Sequence, residues 1–210
     1  MKLPTHPPRF IRREVHRPET QELIYQAAVR LFRERGYHAT SVRDIAAAVG
    51  IQPATIYHYF GGKEALLFTI MERVLLHLLE EQKVAVRISD NPVEQLAEMV
   101  RVHVRIHCER PLEAFIGDYE LRALSGDLYA QILAYRDQYQ ATFRQVIEEG
   151  VRQGVFSVPD IRVTTNILLV MATASVSWFH PDGRLPLEEI ADIHAKLALK
   201  MVMPYPPLHH

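Results

Sequence analysis

The sequence predicts an all-α fold, with a short three-helix head followed by a longer helical body, about nine helices in all. Three observations lead there. Apolar residues recur at helical spacing along most of the chain, with no sustained alternation that would mark a strand. Glycine is scarce, nine in 210 residues, and falls mostly between the periodic runs. Proline stands beside capping residues, as in Asn91–Pro92, where it opens a helix rather than breaking one.

The first helix is expected from about Pro18 to Arg35, with Ile24, Ala27, Ala28, Leu31 and Phe32 on its apolar face and Gly36–Tyr37 after it. Residues 41–63 then read as two short helices joined by a tight turn. Ser41 and Asp44 have capping-box spacing, so a hydroxyl and a carboxylate satisfy free backbone N–H groups. Val42, Ile45, Ala46 and Val49 share one face, and Gly50 ends the helix because glycine turns left-handed without steric cost. Pro53 fits a first helical turn, and Ile56 and Phe60, four apart, face the preceding helix. That leaves Gln52, Ala54, Thr55, Tyr57, His58 and Tyr59 on the outside, with no acidic residue and with Lys63 just beyond. Such a surface suits the major groove of DNA. Lys63 opens the next helix, where free N–H groups and the helix dipole favour a phosphate. Arg43 is placed either for phosphate or for pairing with Asp44 or Glu34.

The body begins with a long helix carrying Leu66, Leu67, Ile70, Val74, Leu75, Leu78 and Leu79 as far as Ser89–Asp90–Asn91. The next carries Leu96, Met99, Val100, His103, Val104 and His107, and Pro111 breaks it. A short helix holds Leu112, Phe115 and Ile116. A long one follows from Asp118 or Asp127 to Glu149, closed by Gly150 and Gly154. After Pro159 comes a helix with Ile167, Leu168, Met171, Ala174, Ser175 and Trp178; a Pro181–Asp182–Gly183 turn separates it from the last, residues 187–201. These last two helices are expected to meet their copies in a homodimer, with Ala172, Ala174, Ser175 and Ser177 allowing close approach and Val176, Leu197 and Met201 giving apolar contact. The expected organisation is an arm over 1–17, a head over 18–64, a body over 65–203 and a proline-rich tail over 204–210.

Charge divides along the same line. Residues 1–65 hold ten Lys/Arg and six Asp/Glu, a net of +4, against fourteen and nineteen, a net of −5, in the remainder. A basic head and an acidic body suit a protein that sets one end on phosphate. Arg9, Arg12, Arg13 and Arg17 make the arm basic, and it lacks the apolar stretch of a secretory signal. The one cysteine, Cys108, permits no internal disulfide and agrees with a cytoplasmic setting. No apolar run approaches the ~18 residues of a membrane span.

His103 and His107 lie four apart beside Cys108 and Glu109, which is metal-ligand spacing on one helical face. No second ligand pair accompanies them, so they are read as pocket-wall or partly buried histidines, with no metal and no cofactor expected. A metal-dependent protein is the rival class. No nucleophile elbow, phosphate-binding glycine loop or metalloprotease helix is present, and no enzymatic activity is expected.

The head closely resembles the DNA-binding domain of the tetracycline-repressor (TetR) family of bacterial regulators. The matching residues are Thr40–Ser41–Val42–Arg43–Asp44–Ile45–Ala46, the Val49–Gly50 turn, Thr55–Ile56–Tyr57–His58–Tyr59–Phe60 and Gly62–Lys63–Glu64–Ala65–Leu66. Gly62 departs from the pattern, since the family often has serine there, which weakens a helix cap. The resemblance implies a ligand-responsive homodimeric repressor on a palindromic double-stranded operator. It implies DNA contacts from Thr40, Ser41 and Arg43, from Gln52, Pro53, Ala54 and Thr55, and from Tyr57, His58, Tyr59 and Lys63.

The body is similar, at scattered positions, to a branch of that family that responds to acyl-CoA thioesters and controls fatty-acid or sterol-ring breakdown. The positions are Glu120–Leu124, Arg136–Tyr139, Ile147–Val151, Gly154–Phe156 and Trp178–Pro181 with Gly183–Arg184. The effector this implies has an apolar acyl part and an anionic nucleotide part. Met99, His103, Phe115, Tyr119, Tyr139 and Trp178 are the candidates for the acyl end, and Arg122, then Arg105 or Arg184, for the phosphates. Another hydrophobic effector, a drug or an aromatic acid, is the alternative.

Overall fold

The computed structural model describes residues 17–204, and among them it holds nine α-helices, two short 3₁₀ turns and no strand. The expected arm and tail lie outside the described residues, as does the side chain of Arg17. The head comprises α1 (Arg17–Arg35), α2 (Val42–Val49) and α3 (Pro53–Phe60). The body comprises α4 (Lys63–Arg87), α5 (Pro92–Glu109), α6 (Pro111–Tyr119), α7 (Gly126–Arg152), α8 (Ile161–Thr173) and α9 (Leu187–Val202). The 3₁₀ turns are Leu121–Ala123 and Ala174–Ser177.

The head's helix ends form as local chemistry dictates. Ser41 accepts the Asp44 N–H and the Asp44 carboxylate accepts the Ser41 N–H, completing a capping box. Gly50 closes α2 at φ 74°, a backbone state a side chain would strain. Pro53 is the first residue of α3. Gly62 stands at the N-cap of α4 with no side-chain cap, as its departure from serine implies. In the body, Asn91 caps α5 through the Val93 N–H at 2.9 Å, and Asp160 caps α8 through Val163. Of the two starts expected for the long helix, the later one holds: α6 runs on to Tyr119, a 3₁₀ turn follows, and α7 starts at Gly126, next to Asp127.

Two apolar cores meet along α4. One joins Ile24, Phe32, Ile45 and Ile56 of the head to Leu66, Leu67, Ile70 and Met71 of α4, Ile116 of α6 and Ile132 of α7. The other packs Leu78, Leu96, Met99, Val104, Phe143, Ile147, Ala195 and Ala198 between α4, α5, α7 and α9. The head is therefore seated on the body through shared core, and no linker intervenes. At ~25 cal/mol per Å² of apolar area, burial of this kind is the main force holding the two parts together.

One expectation about the last helices is corrected. Ala172 and Ser175 are 1% and 0% exposed and pack inside their own subunit; Ser175 donates to the Ala172 carbonyl at 2.7 Å and accepts from the Cys108 thiol. Ala174, Ser177 and the expected Leu197 are exposed, and so are the larger Val163, Ile167 and Val170 on α8 and Ile193 on α9. No helix among the described residues is long and apolar enough to cross a membrane.

Candidate DNA and ligand sites

Helix α3 presents its polar side as the pattern demands. Ile56 and Phe60 are buried against α1, α2 and α4, while Gln52, Ala54, Tyr57 and His58 are exposed and Pro53, Thr55 and Tyr59 are partly so. Tyr57 is more than half exposed. Ser41 and Arg43 are exposed at the start of α2, and the Ser41 hydrogen bonds hold the Asp44 carboxyl below the usual carboxylate range.

Two of the candidate DNA residues are placed differently. Thr40 is 0% exposed, and its hydroxyl donates inward to the carbonyls of Leu31 and Gly36. Its side chain therefore fixes the end of α1 and faces no DNA. Lys63 is only partly exposed: its ammonium donates to the carbonyls of Tyr37 at 3.0 Å and Thr40 at 2.9 Å, and lies 4.0 Å from the centre of the Tyr37 ring. An ammonium has three N–H donors. Two are committed to the turn before α2, and one is left for a phosphate.

In the body a cavity of about 1000 Å³ opens between α4, α5, α6, α7 and α8. Met71, Val74, Leu75 and Leu78 of α4, Leu169 and Val170 of α8, and Leu112, Ala114 and Phe115 of α6 line it. His103, Phe115, Tyr119 and Tyr139 of the candidates line it. Phe115 and Tyr119 stack with centroids 4.3 Å apart, and Tyr119 is largely exposed at the mouth.

Five candidates are not brought to it. Met99 is 0% exposed and belongs to the solid core. Trp178 turns outward, 56% exposed, and stacks on His194 at 5.8 Å. Arg105 is held by Glu188 through two hydrogen bonds of 3.0 Å. Arg122 is exposed on the 3₁₀ turn and Arg184 in the α8–α9 loop, and neither lines the cavity. The two cations that do line it are Arg136 and Arg33. Arg136 donates to the Gly117 carbonyl at 2.6 Å and lies 3.8 Å from Asp118, whose carboxyl burial pushes up against the pull of that charge. Arg33 comes from α1, in the head, and its guanidinium lies 3.9 Å over the Phe115 ring. Nothing local in the sequence marks Arg33, because only the seating of head on body brings it there.

Inside the cavity wall His103 is fully occupied. Its Nδ1 pairs with the Tyr139 hydroxyl at 3.0 Å and its Nε2 with the Thr173 hydroxyl at 2.9 Å. Burial drives its pKa well below the ordinary value, helped by His107 and His194. His107 stacks on it at 4.0 Å, and burial lowers its pKa to about 4. With both His103 nitrogens engaged, the pair presents no common point for a metal, and among the described residues no third ligand gathers beside them.

Comparison with known proteins agrees with this architecture. Residues 24–70 match the family described as "Bacterial regulatory proteins, tetR family", and residues 89–202 match "Tetracyclin repressor-like, C-terminal domain". The chain is 26% identical over 178 residues to the HTH-type transcriptional repressor KstR2 of Rhodococcus jostii, covering 84% of this chain and 87% of that protein. A tetR-family regulatory protein from Rhodococcus RHA1 superposes with a TM-score of 0.83 at 28% identity, over 90% of this chain and 99% of that one. AibR, solved in complex with isovaleryl coenzyme A and operator DNA, superposes with a TM-score of 0.76 at 32% identity, over 85% and 97%.

Proposed function

Because this chain belongs to the TetR family of bacterial regulators, we propose that it is a homodimeric transcriptional repressor, released from a palindromic operator by an acyl-CoA thioester. The observation that carries the effector reading is the cavity: about 1000 Å³, with apolar walls from α4 and α8, polar groups among them, and two arginines in its lining. Its size and lining suit an acyl chain. Arg33 and Arg136 offer planar guanidinium groups to the phosphates of the nucleotide part. The likeness to AibR, a protein solved with isovaleryl coenzyme A, supports this class of ligand.

Dimerisation follows from the exposed apolar stripe. Val163, Ile167 and Val170 recur at helical spacing on α8, and Ile193 and Leu197 do so on α9. A second copy covering this face sets two α3 helices on successive major grooves about 34–36 Å apart. Release comes through α6. That helix lines the cavity, and directly after it Glu120 grips the backbone of Tyr37 at the entry to α2. An acyl-CoA that moves α6 turns the head against α4, and the spacing is lost. Coupling of this kind is worth about 1–3 kcal/mol and is reciprocal, so operator weakens thioester as much as thioester weakens operator.

Calorimetry with an acyl-CoA series, the matching free fatty acids and CoA alone tests the effector. The same thioesters are then added to the protein on a duplex selected from a random library. Thioesters are expected to bind at least tenfold more tightly than free acids or CoA and to release the duplex. Equal binding of acid and thioester removes the phosphate site. Binding by none leaves a different hydrophobic effector.

A further inference from the structure

The wall of this cavity holds a polar pair that a plain acyl chain leaves unpaired. His107 Nδ1 lies 2.9 Å from the backbone carbonyl of His103. A carbonyl oxygen only accepts, so Nδ1 carries the hydrogen. A neutral imidazole has one N–H, and burial keeps this ring neutral, with its pKa at about 4. Nε2 is therefore a bare acceptor. No donor among the described residues reaches it, and it is not sealed within the protein: the one sealed, unpartnered side-chain polar atom there is the Tyr25 hydroxyl. His107 lines the cavity, so the lone pair is open to whatever the cavity holds.

Beside it, Tyr139, His103 and Thr173 form a chain with one hydrogen to spare. Neutral His103 donates once and accepts once, to hydroxyls at 3.0 and 2.9 Å. In one tautomer Nδ1–H donates to Tyr139 and Thr173 donates to Nε2; in the other the roles exchange. Either way one hydroxyl accepts from the ring and keeps its own hydrogen. No other acceptor among the described residues takes it, and both hydroxyl residues line the cavity. The two histidine rings stack at 4.0 Å, so the spare donor and the bare acceptor belong to one small polar spot.

We propose that this spot selects acyl groups that carry a hydroxyl, whose oxygen accepts from Tyr139 or Thr173 and whose hydrogen goes to His107 Nε2. A hydroxyl matches a donor and an acceptor side by side. A methylene satisfies neither, and a lone carbonyl oxygen sets its own lone pair against Nε2. The inference rests on the acyl-CoA reading for the rest of the ligand, but its polar logic belongs to the cavity alone. A site built to pair a hydroxyl discriminates strongly against the analogue that lacks it. The expected preference is at least roughly tenfold.

The test has two arms. Long-range ¹H–¹⁵N spectra of histidine-labelled protein are expected to show His107 Nε2 unprotonated and shifted by a hydroxylated ligand; a protonated Nε2 overturns the proposal. Calorimetry compares decanoyl-CoA with its 3-hydroxy and 10-hydroxy forms, on the natural protein and on His107→Leu. One hydroxylated form is expected to bind at least tenfold more tightly, and the gap to close in His107→Leu. No preference, or one that survives the substitution, overturns it. So does CoA alone losing affinity in His107→Leu, which assigns the acceptor to a pantetheine amide. If no thioester binds, the acyl-CoA reading falls, and decanoic acid against the two hydroxydecanoic acids decides this proposal by the same criterion.

Discussion

A carboxylate oxygen of Glu120 accepts the backbone N–H of Tyr37 at 3.0 Å, across 83 residues of sequence. Tyr37 in turn gives its carbonyl and its ring to Lys63. The end of the cavity-lining helix α6, the entry to α2 and the start of α4 are thus tied at one point. Replacing Glu120 by Ala removes the tie. The expected result is a fall of severalfold in the ratio of duplex affinities without and with thioester, while thioester binding to free protein stays within about twofold. Glu120→Gln keeps an acceptor and should recover much of the ratio. A ratio unchanged in Glu120→Ala means that another route carries the signal.

Lys63→Ala should do two things at once. Loss of an ammonium held by two carbonyls and a tyrosine ring lowers stability to denaturant, by about 1–3 kcal/mol. Loss of its remaining N–H weakens binding to every duplex alike and reduces the salt slope by about one. Titrations at several salt concentrations check this; a changed sequence preference at constant slope would exclude the phosphate contact.

Acid should destabilise the protein earlier than its carboxylates alone require. The folded pKa of His107, about 4, lies below its ordinary value of 6.5, so the unfolded chain binds the proton first as pH falls. Stability is full above 6.5 and declines as pH falls toward 4, by up to about 3 kcal/mol from this residue. His103 is depressed in the same direction. Urea midpoints measured between neutral pH and the folded pKa of His107 should slope downward, and the slope should flatten in His107→Leu.

Gly150 is held by lack of space. A Cβ built there overlaps the ring of Phe156, which is 3% exposed in the core beneath α7. Gly150→Ala should cost about 1–3 kcal/mol through overpacking. Urea unfolding checks it. A change of less than about 0.5 kcal/mol, the size usual for an innocuous surface substitution, would mean that Phe156 moves aside freely.

Ile167→Glu sets a charge in the middle of the exposed α8 stripe. Sedimentation at micromolar concentration should show a dimer for the natural chain and a monomer for the variant, with duplex binding lost alongside. A variant that remains dimeric places the interface elsewhere.

The head was legible in the sequence because its signals are local. Ser41 and Asp44 cap each other within three residues, Gly50 supplies its own turn, and Pro53 needs no partner. The cavity was half legible. His103 and Tyr139 declare themselves as polar groups on apolar helices, but their pairing spans 36 residues. The arginines could not be sorted from sequence. Arg105 looks as available as Arg136 until Glu188, 83 residues away, is seen to hold it. The helix expected to carry Trp178 ends at Thr173, a 3₁₀ turn over Ala174–Ser177 follows, and Trp178 stands beyond it, exposed.

Arg33 carries a consequence of its own. It belongs to the head yet stands over Phe115 as part of the cavity lining. The two halves are therefore not interchangeable modules. A chimaera that borrows a relative's head to redirect this protein to a new promoter inherits a different lining for the cavity, so its dose response shifts along with its target. Conversely, drift at position 33 to suit a new metabolite reshapes the helix on which the operator reader is mounted. With the cavity as the proposed effector site, a change that suits a new promoter and a change that suits a new metabolite meet at this one side chain.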